Sequence, residues 1–440
     1  GGEASLLLTD TRFQADLGWQ GLRWPLVGDP QLISPDGQVT ASGTPTDYQA
    51  SIDATLLGPE DQPLSAELAL SGTDQRIEIS TLQLTSPGDG PSLSASATVA
   101  LQPLNLDASG RWQNLVWPLA GEPQVRIPTG EFQASGDADA YTFALDTRVA
   151  GPALPATALS LSGRGSINAL EQATLQAELL GGTVNADLAA RWQPALGWEA
   201  TLTGENLAIG EFAPEFPGSV GFAATSEGRT EDGTLNARVA IQGLDGSLRG
   251  QALDGSGTVT VRGDTVIVDD LNLTAGQANL RVDGRVAEEL ALDWRLNARL
   301  GPLLPDFQGQ IQGQGSLAGS REAPRAVADL TVNNLAGAGV AVDALDLDAT
   351  VDLGADARST VDLQGRGIQA GRQVIETLSL KGAGTPGSHR VNLTARTGEF
   401  GALQLALAGG LGEENVWRGD LETLQLTDTP AGDWRLASQA

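Results

Sequence analysis

The 440-residue sequence contains no cysteine, no methionine, one histidine and few aromatic residues. Without cysteine no disulfide can form, which fits a disulfide-free envelope protein as well as a cytosolic one. Without methionine there is no initiator, so we treat the chain as an internal piece of a longer protein. No apolar run approaches the roughly 18 to 20 residues of a membrane-spanning helix. We therefore expect any anchor or signal sequence of the parent protein to lie outside this chain.

Positive charge is also scarce. The 26 Lys and Arg residues face 55 Asp and Glu, a net charge of −29, and the basic residues are scattered singly. Because a phosphate backbone is bound by clustered Lys and Arg, we predict no nucleic-acid partner. An acidic surplus of this kind is typical of a solvated surface that keeps an aliphatic protein soluble.

The sequence does contain a long internal repeat. The stretch from Trp19 to Tyr48 returns as Trp112 to Tyr141 at a constant offset of 93, and a weaker period of 91 relates Phe216 to Phe307. Self-similarity at a fixed period indicates a tandem array. We predict about four units of roughly 92 residues, at 19–111, 112–215, 216–306 and 307–440.

Apolar and polar residues alternate through most of the chain, and Gly, Pro, Asp or Asn punctuate the alternation. In Leu345 to Leu353 the aliphatic residues occupy one parity and the carboxylates the other, which places them on opposite faces of a strand. The pattern predicts about 40 antiparallel strands of roughly five to nine residues. Turns are expected at Pro35–Gly37, Glu231–Gly233 and Asp283–Gly284, among others.

A one-faced sheet must shield its apolar face, and two arrangements can do so. Each repeat could close into a β-sandwich, as in adhesin arrays. Alternatively, the sheet could continue without closing. We predict the second arrangement, because alternation continues across the unit boundaries and Gly218 to Glu289 holds a single aromatic residue, Phe222. The predicted fold is all-β, an elongated antiparallel sheet curled into a continuous open groove.

The aliphatic side chains of the clearest alternating segments are predicted to line this groove. These candidate lining residues are Leu271, Leu273, Leu280, Val282, Leu290, Leu292, Leu296, Leu345, Leu347, Val351, Leu353, Val391, Leu393, Leu403, Leu405 and Leu407.

Catalytic and cofactor chemistry finds little support. His389 has no second histidine or cysteine with which to form a metal site or a catalytic triad. Gly313, Gly315 and Gly319 resemble a nucleotide-binding loop only in part, because no helix pattern follows, and we interpret them as a turn. We therefore predict no enzyme activity, no cofactor and no metal.

Two further groups of residues allow a structural and a functional interpretation. Asp343, Asp346, Asp348 and Asp352 could bind Ca²⁺ by number, but they lack the spacing of known calcium loops, and a solvated strand face fits them better. The repeated tryptophan pairs Trp19/Trp24 and Trp112/Trp117 could bind sugars or lipid headgroups. We favour a structural role, covering an open edge or filling a bend in the sheet.

Three motifs resemble one family. They are Trp-x4-Trp-Pro-Leu-x-Gly-x-Pro with the following Ser-Pro-x-Gly at Trp19 to Thr44, the Phe-Pro-Gly step at Phe216, and Trp417-Arg-Gly-Asp-Leu followed by Gly432-Asp-Trp. Together they are similar to the central β-repeat region of the TamB family. Its members are inner-membrane-anchored subunits of the translocation and assembly module, related to AsmA-like proteins of Gram-negative bacteria.

The resemblance implies a periplasmic location and a groove that conducts phospholipids towards the outer membrane, with a part in outer-membrane protein and autotransporter assembly. It also implies that the parent protein pairs with the outer-membrane protein TamA through a region absent from this chain. A structural, adhesin-like array of β-sandwich repeats without lipid transport remains the alternative.

Overall fold

The computed structural model describes residues 2–9, 12–25, 27–58, 62–119, 122–152, 154–354, 356–398, 400–412 and 416–437. The chain divides into two units, Gly1–Pro214 (unit 1) and Glu215–Ala440 (unit 2). Apart from one 3₁₀ turn at Ile209–Glu211, the regular elements in these residues are β-strands. The all-β class predicted from the alternation is confirmed.

Unit 1 contains fourteen described strands. They are β1 Gly2–Thr9, β2 Arg12–Trp24, β3 Leu32–Thr44, β4 Asp47–Leu57, β5 Pro63–Thr73, β6 Arg76–Thr85, β7 Ser92–Leu101, β8 Leu104–Trp117, β9 Val125–Gly136, β10 Tyr141–Gly151, β11 Leu154–Ser166, β12 Ala169–Leu179, β13 Gly182–Arg191 and β14 Gly197–Leu207.

Unit 2 contains fifteen described strands. They are β15 Gly218–Glu231, β16 Thr234–Leu248, β17 Gln251–Arg262, β18 Thr265–Ala275, β19 Ala278–Val286, β20 Glu289–Arg299, β21 Phe307–Ser320, β22 Pro324–Gly337, β23 Val340–Asp352, β24 Ser359–Ala370, β25 Gln373–Thr385, β26 Ser388–Thr397, β27 Gly401–Leu411, β28 Trp417–Thr427 and β29 Trp434–Arg435.

Within each unit the strands pair antiparallel in sequence order. The described ladders join β1 to β2, β2 to β3 and so on to β14 in unit 1. The same pattern runs from β15 to β29 in unit 2. This is a meander, whereas a sandwich of the immunoglobulin type requires Greek-key crossings between sheets. The open antiparallel sheet predicted from sequence is confirmed.

The strands are longer and fewer than predicted. Most have between 10 and 15 residues, because several glycine-containing segments that were expected to be turns lie inside strands. Pro35–Gly37 is part of β3, and Asp283–Gly284 is part of β19. The prediction of about 40 strands was therefore wrong, although the turn at Glu231–Gly233 does separate β15 from β16.

Few side chains are fully buried. Only nine hydrophobic residues in the described part of the chain are buried, among them Leu64 and Ala173. The chain exposes 26495 Å², whereas two compact bodies of half its 45.3 kDa mass would together expose about 19,000 Å². Together with the few buried side chains, this excess indicates that much of the apolar surface of the described strands stays open.

Single residues with left-handed backbone conformation reverse the pleat near one end of several strands. In β22 the apolar parity runs through Leu330 and Val332, then changes at Asn334, which has a φ of 50°, and resumes at Leu335. Asparagine and glycine tolerate this conformation. The reversal returns Leu335 and its partner Val342, which is buried, to the apolar face.

Candidate functional site

An unbroken row of apolar residues crosses every strand of unit 2 from β15 to β28. Directly paired residues of an antiparallel ladder project from the same face of the sheet, so the registers define the row. We call this set row 2. Its members, in strand order, are Phe222, Leu244, Gly255, Leu273, Leu280, Leu296, Gly313, Leu330, Leu347, Leu363, Leu380, Leu393, Leu405 and Leu424.

Unit 1 has an equivalent row, which crosses β2 to β14. Smaller residues replace leucine at several steps, but no polar side chain interrupts it. We call this set row 1. Its members are Leu17, Val39, Ile52, Leu68, Leu82, Ala95, Gly110, Phe132, Leu145, Leu161, Leu175, Ala186 and Leu202.

Each row runs along the hydrogen-bonding direction, so its members succeed one another at about 4.8 Å. Further apolar pairs flank it on the same face, such as Val391 with Leu407 and Leu403 with Leu426 in unit 2. In each unit we call the face with the row the leucine face and the opposite one the polar face. The leucine face therefore offers a strip several residues wide and free of charge along its centre.

The leucines of row 2 are half-buried. In a closed sandwich, leucines at the centre of an inner face would be fully buried. Here neighbouring side chains shield each leucine, yet part of its surface stays open to a ligand. The only described cluster of fully buried side chains is at the turn ends of strands in unit 1, where Leu64, Leu84 and Leu119 meet.

Glycines in the rows leave space that a neighbouring strand fills. A methyl group on Gly313 would overlap Leu330 Cδ2, and one on Gly110 would overlap Phe132 and approach Ala95. The leucine and the phenylalanine therefore lie over the glycine of the adjacent strand, which keeps the apolar row continuous where the sequence lacks a side chain.

The polar face carries the carboxylates. Asp348 of β23 lies directly between Asp329 and Asp362 of its two neighbours, and Lys381 Nζ is 3.2 Å from Asp362 Oδ2. Of the four aspartates that were weighed as a calcium site, Asp346 and Asp348 are exposed on the polar face, whereas the Asp352 side chain accepts a hydrogen bond from Gly354 N. Asp346 and Asp348 therefore belong to a solvated strand face.

A concavity of about 1100 Å³ in unit 1 is lined mainly by the polar face of β6 to β13. Its charged residues include Arg111, Glu131, Asp146, Arg148 and Glu178. Among the described residues no three His, Asp or Glu side chains are grouped to hold a metal ion. No helix in the described residues is long and apolar enough to span a bilayer.

Fifteen of the sixteen predicted lining residues lie in strands on the leucine face, and six of these belong to row 2: Leu273, Leu280, Leu296, Leu347, Leu393 and Leu405. Leu353 does not, because β23 ends at Asp352 and Leu353 lies in the following turn, 56% exposed. Contact of these residues with a lipid stays a prediction.

The row residues of the intervening strands and the whole of row 1 were not predicted from the sequence. Leu330, Leu363 and Leu380 connect the predicted segments across β22, β24 and β25. The missed signal is a single large aliphatic residue near the middle of each strand, which becomes visible only when successive hairpins are aligned about their turns.

Gly313 and Gly315 were expected to form a turn, and this was wrong. Both lie inside β21, where Gly313 belongs to row 2 and Gly315 faces Trp294. A methyl group at Gly315 would approach the Trp294 ring. Their spacing of two therefore places both glycines on the same face of the strand. On that face a leucine and a tryptophan of the neighbouring strands cover them.

His389 has defined partners. Its Nε2 accepts a hydrogen bond from Trp417 Nε1 at 2.9 Å, and its Nδ1 is 3.2 Å from the Thr385 carbonyl oxygen. Because Nε2 accepts, Nδ1 carries the proton and donates to that carbonyl. Through these two hydrogen bonds, His389 in β26 connects Thr385 at the end of β25 with Trp417 at the start of β28.

The repeated tryptophans occupy equivalent places. The Trp19 ring lies over Gly37 and the Trp112 ring over Gly130, each directly paired on the next strand. Trp24 and Trp117 are exposed by 61% and 45% at strand ends. These positions agree with the structural role favoured from sequence, covering the sheet where glycine leaves it open.

One comparison identifies relatives of this chain. The family model described as TamB, N-terminal domain, matches residues 1–101 and 90–440, so that the two matches together span the sequence.

Proposed function

The chain belongs to the TamB family, whose members are transport and assembly bridges of the Gram-negative envelope, and on that premise we propose that its leucine faces conduct phospholipid acyl chains. Family membership assigns the chain to lipid transport or outer-membrane assembly in the envelope. The observation that carries the finer proposal is the uninterrupted apolar row in each unit.

The row meets the main energetic problem of moving a phospholipid through water. At ~0.8 kcal/mol per CH₂, exposing one chain of about 16 carbons costs roughly 13 kcal/mol. A strip of half-buried leucines at about 4.8 Å spacing offers the same contact at each successive strand. The binding free energy of an acyl chain is then similar at each successive strand. The acyl chain can therefore slide along the row without a catalytic group.

The proposal extends to location and partners. The chain is the periplasmic part of an anchored protein that delivers phospholipids to the outer membrane, and TamA binds the parent protein through another region. A role in protein assembly uses the same open sheet, since an unpaired strand edge can accept another strand.

The first test is lipid mass spectrometry on the 440-residue chain, expressed in a bacterial periplasm and purified without detergent. We expect several phospholipids per chain, because each apolar row is long enough for more than one acyl chain. An extract with no phospholipid contradicts the proposal.

A matched pair of variants tests the leucine face itself. Leu405→Asp places a charge in row 2, whereas Gln404→Asp places the same charge on the polar face of the same strand. We expect Leu405→Asp to lower bound lipid several-fold and Gln404→Asp to leave it unchanged. Circular dichroism shows whether both variants keep the sheet. Equal lipid loss in both would contradict conduction along the leucine face.

A further inference from the structure

The ends of the strands are where the headgroups of bound phospholipids would lie. The leucine face takes the apolar chains and offers no charged partner along its row. In β5, Leu68 lies five residues from either end of the strand, so the hairpin turns are about 17 Å away. This distance is comparable to the length of an acyl chain, and the polar headgroup then reaches the turns.

The turns of unit 1 carry charge of one sign. The acidic residues in its described turn segments between β2 and β14 are Asp29, Asp74, Asp89, Glu122, Asp137 and Asp139, and these segments contain no Lys or Arg. All six side chains belong to exposed residues. We call this set the acidic rim.

No described ion pair neutralises the acidic rim. The ion pairs described in unit 1, Arg76–Glu78 and Arg164–Glu171, involve none of its residues. Asp137 accepts hydrogen bonds from the backbone N–H groups of Asp139 and Ala140. The rim therefore places exposed acidic residues at both ends of the strands.

Unit 2 differs in this respect. Arg249, Arg321, Arg358 and Arg372 lie in its turn segments together with acidic residues. The one-signed rim is thus a property of unit 1 and does not follow from the overall charge alone.

We propose that unit 1 selects zwitterionic over anionic phospholipids, an inference that rests on the proposed function. A zwitterionic headgroup such as ethanolamine directs an ammonium group outwards, where the acidic rim attracts it. A glycerol headgroup is neutral, so the phosphate charge of an anionic lipid meets the same field uncompensated. The two lipids share their acyl chains, and the rim distinguishes them by charge.

The test loads the 440-residue chain from vesicles that contain equal amounts of phosphatidylethanolamine and phosphatidylglycerol with identical dioleoyl chains. Mass spectrometry gives the total lipid per chain and the ratio of the two. At about 20 mM salt we expect roughly two-fold enrichment of phosphatidylethanolamine, and at about 500 mM salt a ratio near one, because screening suppresses the interaction between exposed charges.

Two variants with equal charge change locate the effect. The rim variant carries Asn or Gln at the six acidic-rim residues. The face variant carries Asn or Gln at six exposed polar-face acids of unit 1, Asp53, Glu67, Asp107, Glu131, Glu178 and Glu199. We expect the rim variant to lose the preference and the face variant to keep it, with the total lipid unchanged in both.

Several outcomes overturn the inference. A ratio near one in the wild type at low salt, enrichment of phosphatidylglycerol, or equal loss of preference in both variants would each refute selection by the rim while leaving lipid binding intact. The absence of any bound lipid would refute the proposed function and this inference with it.

Discussion

Trp19 and Trp112 are sequence equivalents whose indole nitrogens have different surroundings. Trp19 Nε1 donates to Ser34 Oγ at 2.9 Å, and Ser34 is 1% exposed. In the second copy the residue at the position of Ser34 is Ile127, and the buried Trp112 Nε1 has no hydrogen-bond partner among the described residues. The repeat therefore preserves the ring over its glycine more strictly than the polar contact beside it.

Ser34→Ala should lower the free energy of unfolding by about 1–2 kcal/mol, because it leaves Trp19 Nε1 buried without an acceptor. The Ser34 hydroxyl is also close to the carbonyl oxygens of Asp36 and Thr55, and this contact would be lost as well. Denaturant unfolding measures the change. Ser71→Ala, at an exposed position of β5, is the control and should change stability little. Equal effects of the two substitutions would show that the Trp19 contact contributes nothing.

At the level of single residues, the sequence predicted which sheet face a side chain occupies better than it predicted which residue lies opposite on the next strand. The parity of Leu345, Leu347 and Val351 gave the apolar side of β23, because a period of two admits only one interpretation in a strand. It could not reveal that Leu347 pairs with Leu330 and Leu363. That register depends on the position of each hairpin turn. Turn positions were hard to predict because glycine and proline also occur inside strands.

At the level of strands, the hairpin is the unit that keeps the rows aligned. The pleat reversal at Asn334 illustrates why strand patterns were hard to read: a strand that changes parity midway resembles two short strands with a turn between them. Asp270 in β18, with a φ of 49°, separates Val266 and Val268 from Leu271 and Leu273 in the same way. The turns, by contrast, were predictable wherever glycine followed aspartate at a true strand end.

Removing one complete hairpin should leave unit 2 folded. Deletion of residues 340–372 removes β23 and β24 and joins the turn after β22 to β25. Under the register of the native hairpin, Leu330 then pairs with Leu380, and Leu335 pairs with Ile375. Since each strand contacts mainly its sequence neighbours, we expect a native β-sheet spectrum and a Tm within about 5 °C of the parent chain.

Removing a single strand should have the opposite result. Deletion of residues 340–358 removes β23 alone, so that β24 runs in the reverse direction and Arg366 takes the row position of Leu347. We expect unit 2 to lose its cooperative thermal transition. Circular dichroism measured as a function of temperature checks this. If this deletion is tolerated as well as the hairpin deletion, the rows do not determine the register.

At the level of the whole molecule, the small number of buried hydrophobic side chains in the described residues is the main property. The accessible surface of 26495 Å² exceeds that of compact bodies of the same mass, and 40% of the residues are hydrophobic. In each unit, described strands with one apolar face and without a second layer satisfy both facts. The sequence predicted this openness from the shortage of aromatic residues, since ring side chains normally fill the centre of a sandwich.

The native chain should bind the dye ANS. Folded globular proteins bind it weakly, whereas exposed contiguous apolar surface binds it and raises its fluorescence. We expect an ANS fluorescence several-fold above that of a closed β-sandwich at equal concentration. Added phospholipid should displace the dye and lower this fluorescence. The far-UV spectrum must be native in the same sample. Fluorescence that appears only after partial denaturation would indicate closed apolar faces and favour the sandwich alternative.

Strict pairing between sequence neighbours also determines how such a chain can be made. Each strand needs only the strand before it, so no segment has to wait for a distant partner, and the contacts that form are close in sequence. A polypeptide that becomes available for folding from one end can therefore add strands in the order of their arrival. Folding then becomes a process of growth at one edge, where the newest strand keeps one side unpaired until the next strand arrives.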